Sequence, residues 1–330
     1  MPGLPRFLCV WMLASLLGSG GGFAADLQRQ GDLSGALAPG RAIAPRPDGS
    51  DVDAFLGLWR SARIAQVIPD HARVCLPSAG GSLATDAQRT IAASVAVMAA
   101  SPLGAWLIGE AANRLVLICH DPNTDLAAYY RSQMRLIGLF EQLPDPAKIM
   151  FLAHELAHVP QHPRFSNDLR FGAHAVLVLH RVREASAEAV ATRVLWQLRS
   201  RGYAEPWQYK MASAYGDIAR AFAQAMDGPG DAQELRATRA AFDQWFGQPG
   251  RVHSYDARIL AYLGRTRADR PSLAHPTRTF SADFLRGIGW YGEDTFLGPG
   301  DGPALTDPYY ARGLSPANAA RLQTILQRAM

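Results

Sequence analysis

Cysteine is scarce in this chain of 330 residues, which has three, at positions 9, 75 and 119. So few exclude a disulfide-dense scaffold and a cysteine-rich structural metal site. Cys119-His120 has no companion at metal-ligand spacing. Clustered positive charge is also missing. The formal net charge is +4, and arginine dominates the basic residues without forming a run. The pI near 9.1 gives at most a weak preference for acidic partners or an anionic surface, and nucleic-acid binding is not expected. Internal repeats are absent. Ile91 to Gly109 carries no charge and is long enough for a membrane span, but Ser101-Pro102 breaks it. Proline disfavours helix in the residue before it and starts new helices well, so this stretch reads as two core helices, about Thr85 to Ala100 and Leu103 to Ala112. No integral membrane segment is expected in the mature chain. What remains, 48% hydrophobic and 19% charged, is the composition of a soluble globular protein.

The start of the chain predicts export. Arg6 precedes an apolar run from Phe7 to Leu17, then Gly18 to Gly22 and Phe23-Ala24-Ala25. These are the regions of a secretory signal peptide over residues 1–24, cleaved after Ala24, with an uncleaved membrane anchor as the alternative. Periplasmic or secreted location follows. Removal of that segment leaves Cys75 and Cys119, which form either a disulfide or two buried thiols.

The residues that carry chemistry are His154-Glu155-Leu156-Ala157-His158. Two histidines four apart on a helix stack on one face, so their imidazoles can share one metal ion. Glu155 points about 100° away and is placed to take a proton from a water at the metal, not to bind it. Asp145 as N-cap and Pro146 at the first helical position start this helix, and Pro160 is expected to stop it. Its residues Ile149 to Ala153, Leu156 and Ala157 are apolar nearly all round, which predicts burial. Buried histidines and a glutamate need partners, and a metal serves all of them.

A catalytic zinc needs three protein ligands and an open position. Glu184-Ala185-Ser186-Ala187-Glu188 lies in a helical stretch from about Ala173 to Arg201, capped by Gly202. Glu184 and Glu188 share a face, and the alanines among them keep the helix thin. Glu184 ranks first as third ligand, ahead of Asp168, His162 and His180. Glu188 then accepts a hydrogen bond from the outer ring N–H of a liganding histidine. Alternatively both glutamates belong to a solvated face with Arg181, Arg183 and Arg193. An HExxHxxGxxH extension fails, because Gln161 and Arg164 occupy the required positions.

HELAH on one helix with ExxAE on a second resembles the gluzincin type of zincin metallopeptidase. More narrowly, Ile91 to Tyr203 is similar to bacterial families proposed as metallopeptidases and otherwise of unknown function. The matching residues are Gly104, Arg114 to Cys119, Tyr129 or Tyr130, Leu136 to Leu139, His154 to His158 and Glu184 to Ala189. The resemblance implies His154, His158 and Glu184 as zinc ligands and Glu155 as general base. It also suggests that the strand before the motif helix borders the cleft and pairs with an extended substrate. His275, in Leu273-Ala274-His275-Pro276, is a candidate oxyanion donor, with His253, Tyr209, Tyr255 and Tyr262 as rivals.

The expected fold is α+β and predominantly helical. After a flexible lead at 25–50 comes a zincin-like core at 51–203, with a small sheet beside the motif helix from strands Arg114 to Cys119 and Met134 to Leu139. Residues 204–330 supply helices at Pro206 to Met226, Ala232 to Phe246 and Ser315 to Ala329, plus long loops whose aromatics serve packing. The expected function is exported, zinc-dependent hydrolysis of a peptide or protein. The alternatives are a non-catalytic exported zinc-binding protein and a helical binding protein whose motif is accidental.

Overall fold

Two helices whose described residues are mostly buried form the centre of the protein. The computed structural model describes residues 63–76, 83–124, 126–165, 171–227, 233–268, 280–298 and 313–327. The expected signal peptide and flexible lead lie outside these residues. Within them the fold is predominantly helical with a small sheet, an α+β arrangement.

After a one-turn helix at His71–Val74 come α1 (Asp86–Ala99) and α2 (Pro102–Asn113). Thr85 and Gln88 form a capping box at the start of α1, and Ser101 caps α2 with Pro102 in its first turn. The charge-free stretch is therefore split in two. Among the described residues no helix is long and apolar enough to cross a membrane. Gly104 lets the two helices meet closely, since a Cβ there would stand 2.2 Å from the Met98 carbonyl oxygen.

Three strands follow: β1 (Leu117–Asp121), β2 (Ala128–Arg131) and β3 (Leu136–Phe140). Their order is β1-β3-β2, with β3 parallel to β1 and antiparallel to β2. Both expected strands begin later than predicted, because Leu115 and Arg135 take left-handed conformations (φ 53° and 51°) just before them. β2 adds a third strand to the two expected. The strand before the motif helix is thus central and paired on both sides, which corrects the expectation that it offers an edge to substrate. Tyr129 on β2 explains Gly138 on β3. The tyrosine ring crosses over Gly138, where a Cβ would lie 2.3 Å from a ring carbon, and its hydroxyl donates to Asp121 Oδ2 on β1 at 2.7 Å. At the outer side of β1 a disulfide joins Cys75 to Cys119, and the Leu76 N–H donates to the Ile118 carbonyl at 2.9 Å.

Helix α3 (Asp145–Phe165) packs against β2, β3 and α4 (Ala173–Arg199). Pro160 does not end α3, contrary to expectation. Proline removes one backbone hydrogen bond inside a helix. The bonds Gln161 makes one residue later, to the Arg183 carbonyl and the Tyr291 hydroxyl, hold this turn in place. From Val176 to Thr192 every residue of α4 is buried, which overturns the solvated-face reading for Glu184, Glu188, Arg181 and Arg183, while Arg193 is partly exposed. Gly202, at φ 92°, supports the exit, where the Tyr203 N–H returns to the Leu198 carbonyl.

The expected single helix at 206–226 is two, α5 (Glu205–Ala212) and α6 (Gly216–Met226). Ser213 breaks it: its hydroxyl binds the Lys210 carbonyl and receives the Tyr215 N–H. Then come α7 (Gln233–Phe246), α8 (Pro249–Ala268), a short α9 (Ala282–Arg286), a hairpin of β4 (Trp290–Tyr291) and β5 (Asp294–Thr295), and α10 (Pro316–Gln327). The apolar core runs from Ile91 to Ile325 through all these parts.

Candidate metal centre

His154 and His158 lie one turn apart on α3, with their Nε2 atoms 3.2 Å from each other. Helix α4 passes beside them and brings Glu184 opposite both. Its Oε2 is 3.5 Å from His154 Nε2 and its Oε1 is 3.5 Å from His158 Nε2. One ligand atom from each residue lies within 4.8 Å of the others, and all three residues are buried. Neither Glu184 oxygen has a hydrogen-bond partner among the described residues. A buried carboxylate in this state is costly unless a cation or donor meets it. Two imidazole nitrogens and one carboxylate oxygen make a donor set that zinc accepts, as do manganese, iron and cobalt. The residues therefore fit a single divalent ion.

The outer sides of the histidines are occupied as well. His154 Nδ1 is 2.9 Å from Glu188 Oε2, the contact expected for Glu188. The other Glu188 oxygen is paired with the ammonium of Lys210, which α5 carries and which is fully buried. His158 Nδ1 is 2.8 Å from Gln161 Oε1.

Charge follows this geometry. Burial alone would depress His154, but the nearby Glu184 carboxylate and the hydrogen bond to Glu188 outweigh it and raise the ring to about 10. His158 moves the other way, to about 4: burial lowers it, and the charges of His154 and Arg183 add to that against the pull of Glu184. Burial opposes ionisation of Glu184 and Glu188. Even so, the two histidines and Arg183 hold Glu184 below its usual range, and Lys210 and His154 do so for Glu188.

Glu155 is buried beside His154, close enough for its charge to act on that ring. Of the rival ligands, His180 is buried on α4 but does not join the convergent cluster. The His162 side chain and Asp168 lie outside the described residues, as does His275. Among the rival oxyanion donors, His253, Tyr255 and Tyr262 belong to α8 and Tyr209 to α5. Tyr255 is buried, and its hydroxyl is pushed well above its ordinary pKa by burial, by Tyr215 and by the charges of Glu184 and Glu188.

Three participants escaped the sequence reading. Gln161 stands three residues after His158, a helical spacing that could have flagged it. Lys210 and Tyr291 reach the site through tertiary packing and leave no local signal.

Residues 69–295, more than half of the chain, match the family described as "Putative metallopeptidase family (DUF6782)", and the chain belongs to that family. No curated protein and no solved structure matches it.

Proposed function

We propose that this protein is an exported zinc-dependent peptidase of the gluzincin type, with a zincin-like core that hydrolyses peptide bonds in peptides or proteins. The observation that carries this reading is the buried convergence of His154, His158 and Glu184, with both Glu184 oxygens lacking a hydrogen-bond partner among the described residues. Membership of a metallopeptidase family supports it. His154 and His158 would hold the ion through Nε2, and Glu184 through its carboxylate.

When bound, zinc supplies Lewis acidity, which acidifies water and polarises a carbonyl. Glu155 is the general base: its carboxylate takes the proton of the attacking water and returns it to the departing amine. Glu188 orients the His154 ring, and Lys210 balances its charge. Burial of the site keeps bulk water from screening these charges.

The same burial favours a second reading, in which the zinc is held for stability or partner binding without catalysis. Glu155→Gln separates the two. The peptidase reading predicts that purified protein cleaves a mixed peptide library and that the variant binds zinc equally but loses at least about 100-fold in rate. Cleavage unchanged in the variant, or absent from zinc-loaded wild type across that library, would contradict it.

A further inference from the structure

The two histidines of the metal centre meet partners of different chemistry on their outer sides. Glu188 is a carboxylate and can only accept, so its contact with His154 Nδ1 has one possible direction. Gln161 has an amide, which could present either its oxygen or its NH2 group to His158. Its other contacts decide which. Gln161 Nε2 lies 3.2 Å from the Arg183 backbone oxygen, an atom that can only accept. It also lies 2.8 Å from the Tyr291 hydroxyl. Turning the amide over would set its oxygen against the Arg183 carbonyl and leave that acceptor facing another. Gln161 Oε1 must therefore face His158 Nδ1, at 2.8 Å, and the ring must carry its proton there.

The Tyr291 hydroxyl fits the same direction of donation. It accepts from Gln161, and its own proton can go to the Ala157 carbonyl at 3.3 Å or to Ser186 Oγ at 3.1 Å. Ser186 in turn donates to the Ile288 carbonyl at 3.0 Å. Gln161, Tyr291 and Ser186 are all buried, so water cannot replace any of these partners cheaply. The hairpin residue Tyr291 thus reaches across 130 positions of sequence to the residue that touches a candidate ligand.

We propose that Gln161 is a positioning residue that holds His158 as its Nδ1–H tautomer, with the Nε2 lone pair turned toward Glu184, and that Tyr291 holds Gln161 in the orientation this requires. A proton on Nε2 would block the lone pair that a metal needs. The amide orients this ring without adding a negative charge, whereas Glu188 brings a charge and needs Lys210 beside it. The purpose of the lock rests on the metal-site reading above, but its existence can be tested without metal.

The test is nitrogen NMR of protein labelled with 15N-histidine, without added metal and at neutral pH, with the His158 signals assigned by their loss in His158→Gln. The wild type should show His158 protonated at Nδ1 and bare at Nε2. Gln161→Met, which keeps length and removes the acceptor, should move proton population onto Nε2. It should also weaken zinc binding in chelator competition by about 10- to 100-fold. Tyr291→Phe should change both readouts in the same direction by less. His158 protonated at Nε2 in the wild type would overturn the proposal, whether or not either variant folds. So would Gln161→Met retaining both tautomer and affinity. If the tautomer responds as expected while the wild type binds no zinc, the lock stands and the metal reading fails. If zinc binds while the wild-type proton sits on Nε2, the reverse holds.

Discussion

Lys210 is the residue on which the charge balance of the site turns, and it is the least visible of the site residues in sequence. Nothing around Glu205–Ala212 marks its lysine as different from a solvated one, yet it is fully buried against Glu188. His154, His158, Glu184 and Glu188 were visible because each pair is four apart on a helix, a relation internal to one element. A contact between α5 and α4 has no such signature. Removing one member of a buried ion pair strands the other, at about 3–5 kcal/mol. Lys210→Met should therefore destabilise the protein by that amount in urea titration, and Glu188→Gln in the same chain should recover part of it. Equal losses with and without Glu188→Gln would show that the pair is not coupled.

His120 makes a second residue-scale case. It is buried on β1, with neither ring nitrogen hydrogen-bonded among the described residues. Burial, aided by the nearby Lys148 charge against Asp145, pushes it from 6.5 to about 4. Below pH 6.5 the unfolded chain gains a proton that the folded one refuses. Stability from this group is complete above about pH 6.5 and falls as pH drops toward 4, by about 2 kcal/mol at pH 5. His120→Phe should remove that part of the loss between pH 7 and pH 5. An unchanged pH slope in the variant would contradict the assignment.

At the scale of elements, what could be read from sequence depended on whether an end was set locally. Thr85 with Gln88, and Ser101 with Pro102, are local signals, and the two helices they start lie where expected. Pro160 was a local signal too, but Gln161 bonds to α4 and to the hairpin carry α3 past it. Helix α8 went unread although Val252, Tyr255, Ile259, Leu260 and Leu263 follow a helical period and are buried. Gly138 is the space through which Tyr129 reaches Asp121. Gly138→Ala should cost about 1–3 kcal/mol through overpacking, and much less in a Tyr129→Ala background. Simple additivity of the two substitutions would refute that account.

At the scale of the whole molecule, the predominantly helical α+β class followed from composition and periodicity, whereas strand order did not, because pairing partners up to 19 residues apart share no pattern. The disulfide was one of two open choices for the same reason: the cysteines are separated by 44 residues. Distant parts meet at one place. Arg181 on α4 grips Asp256 on α8 through two contacts of 2.7 Å, and Tyr291 of the hairpin binds Gln161 on α3, so the C-terminal elements are anchored to the two helices that carry the candidate ligands. In the function proposed here those helices are arranged to hold one metal ion. Metal analysis of purified protein beside a Glu184→Ala variant tests it most directly. About one zinc per wild-type chain is expected, with its loss from the variant. No zinc in either protein after incubation with the ion, or zinc fully retained without Glu184, would contradict it.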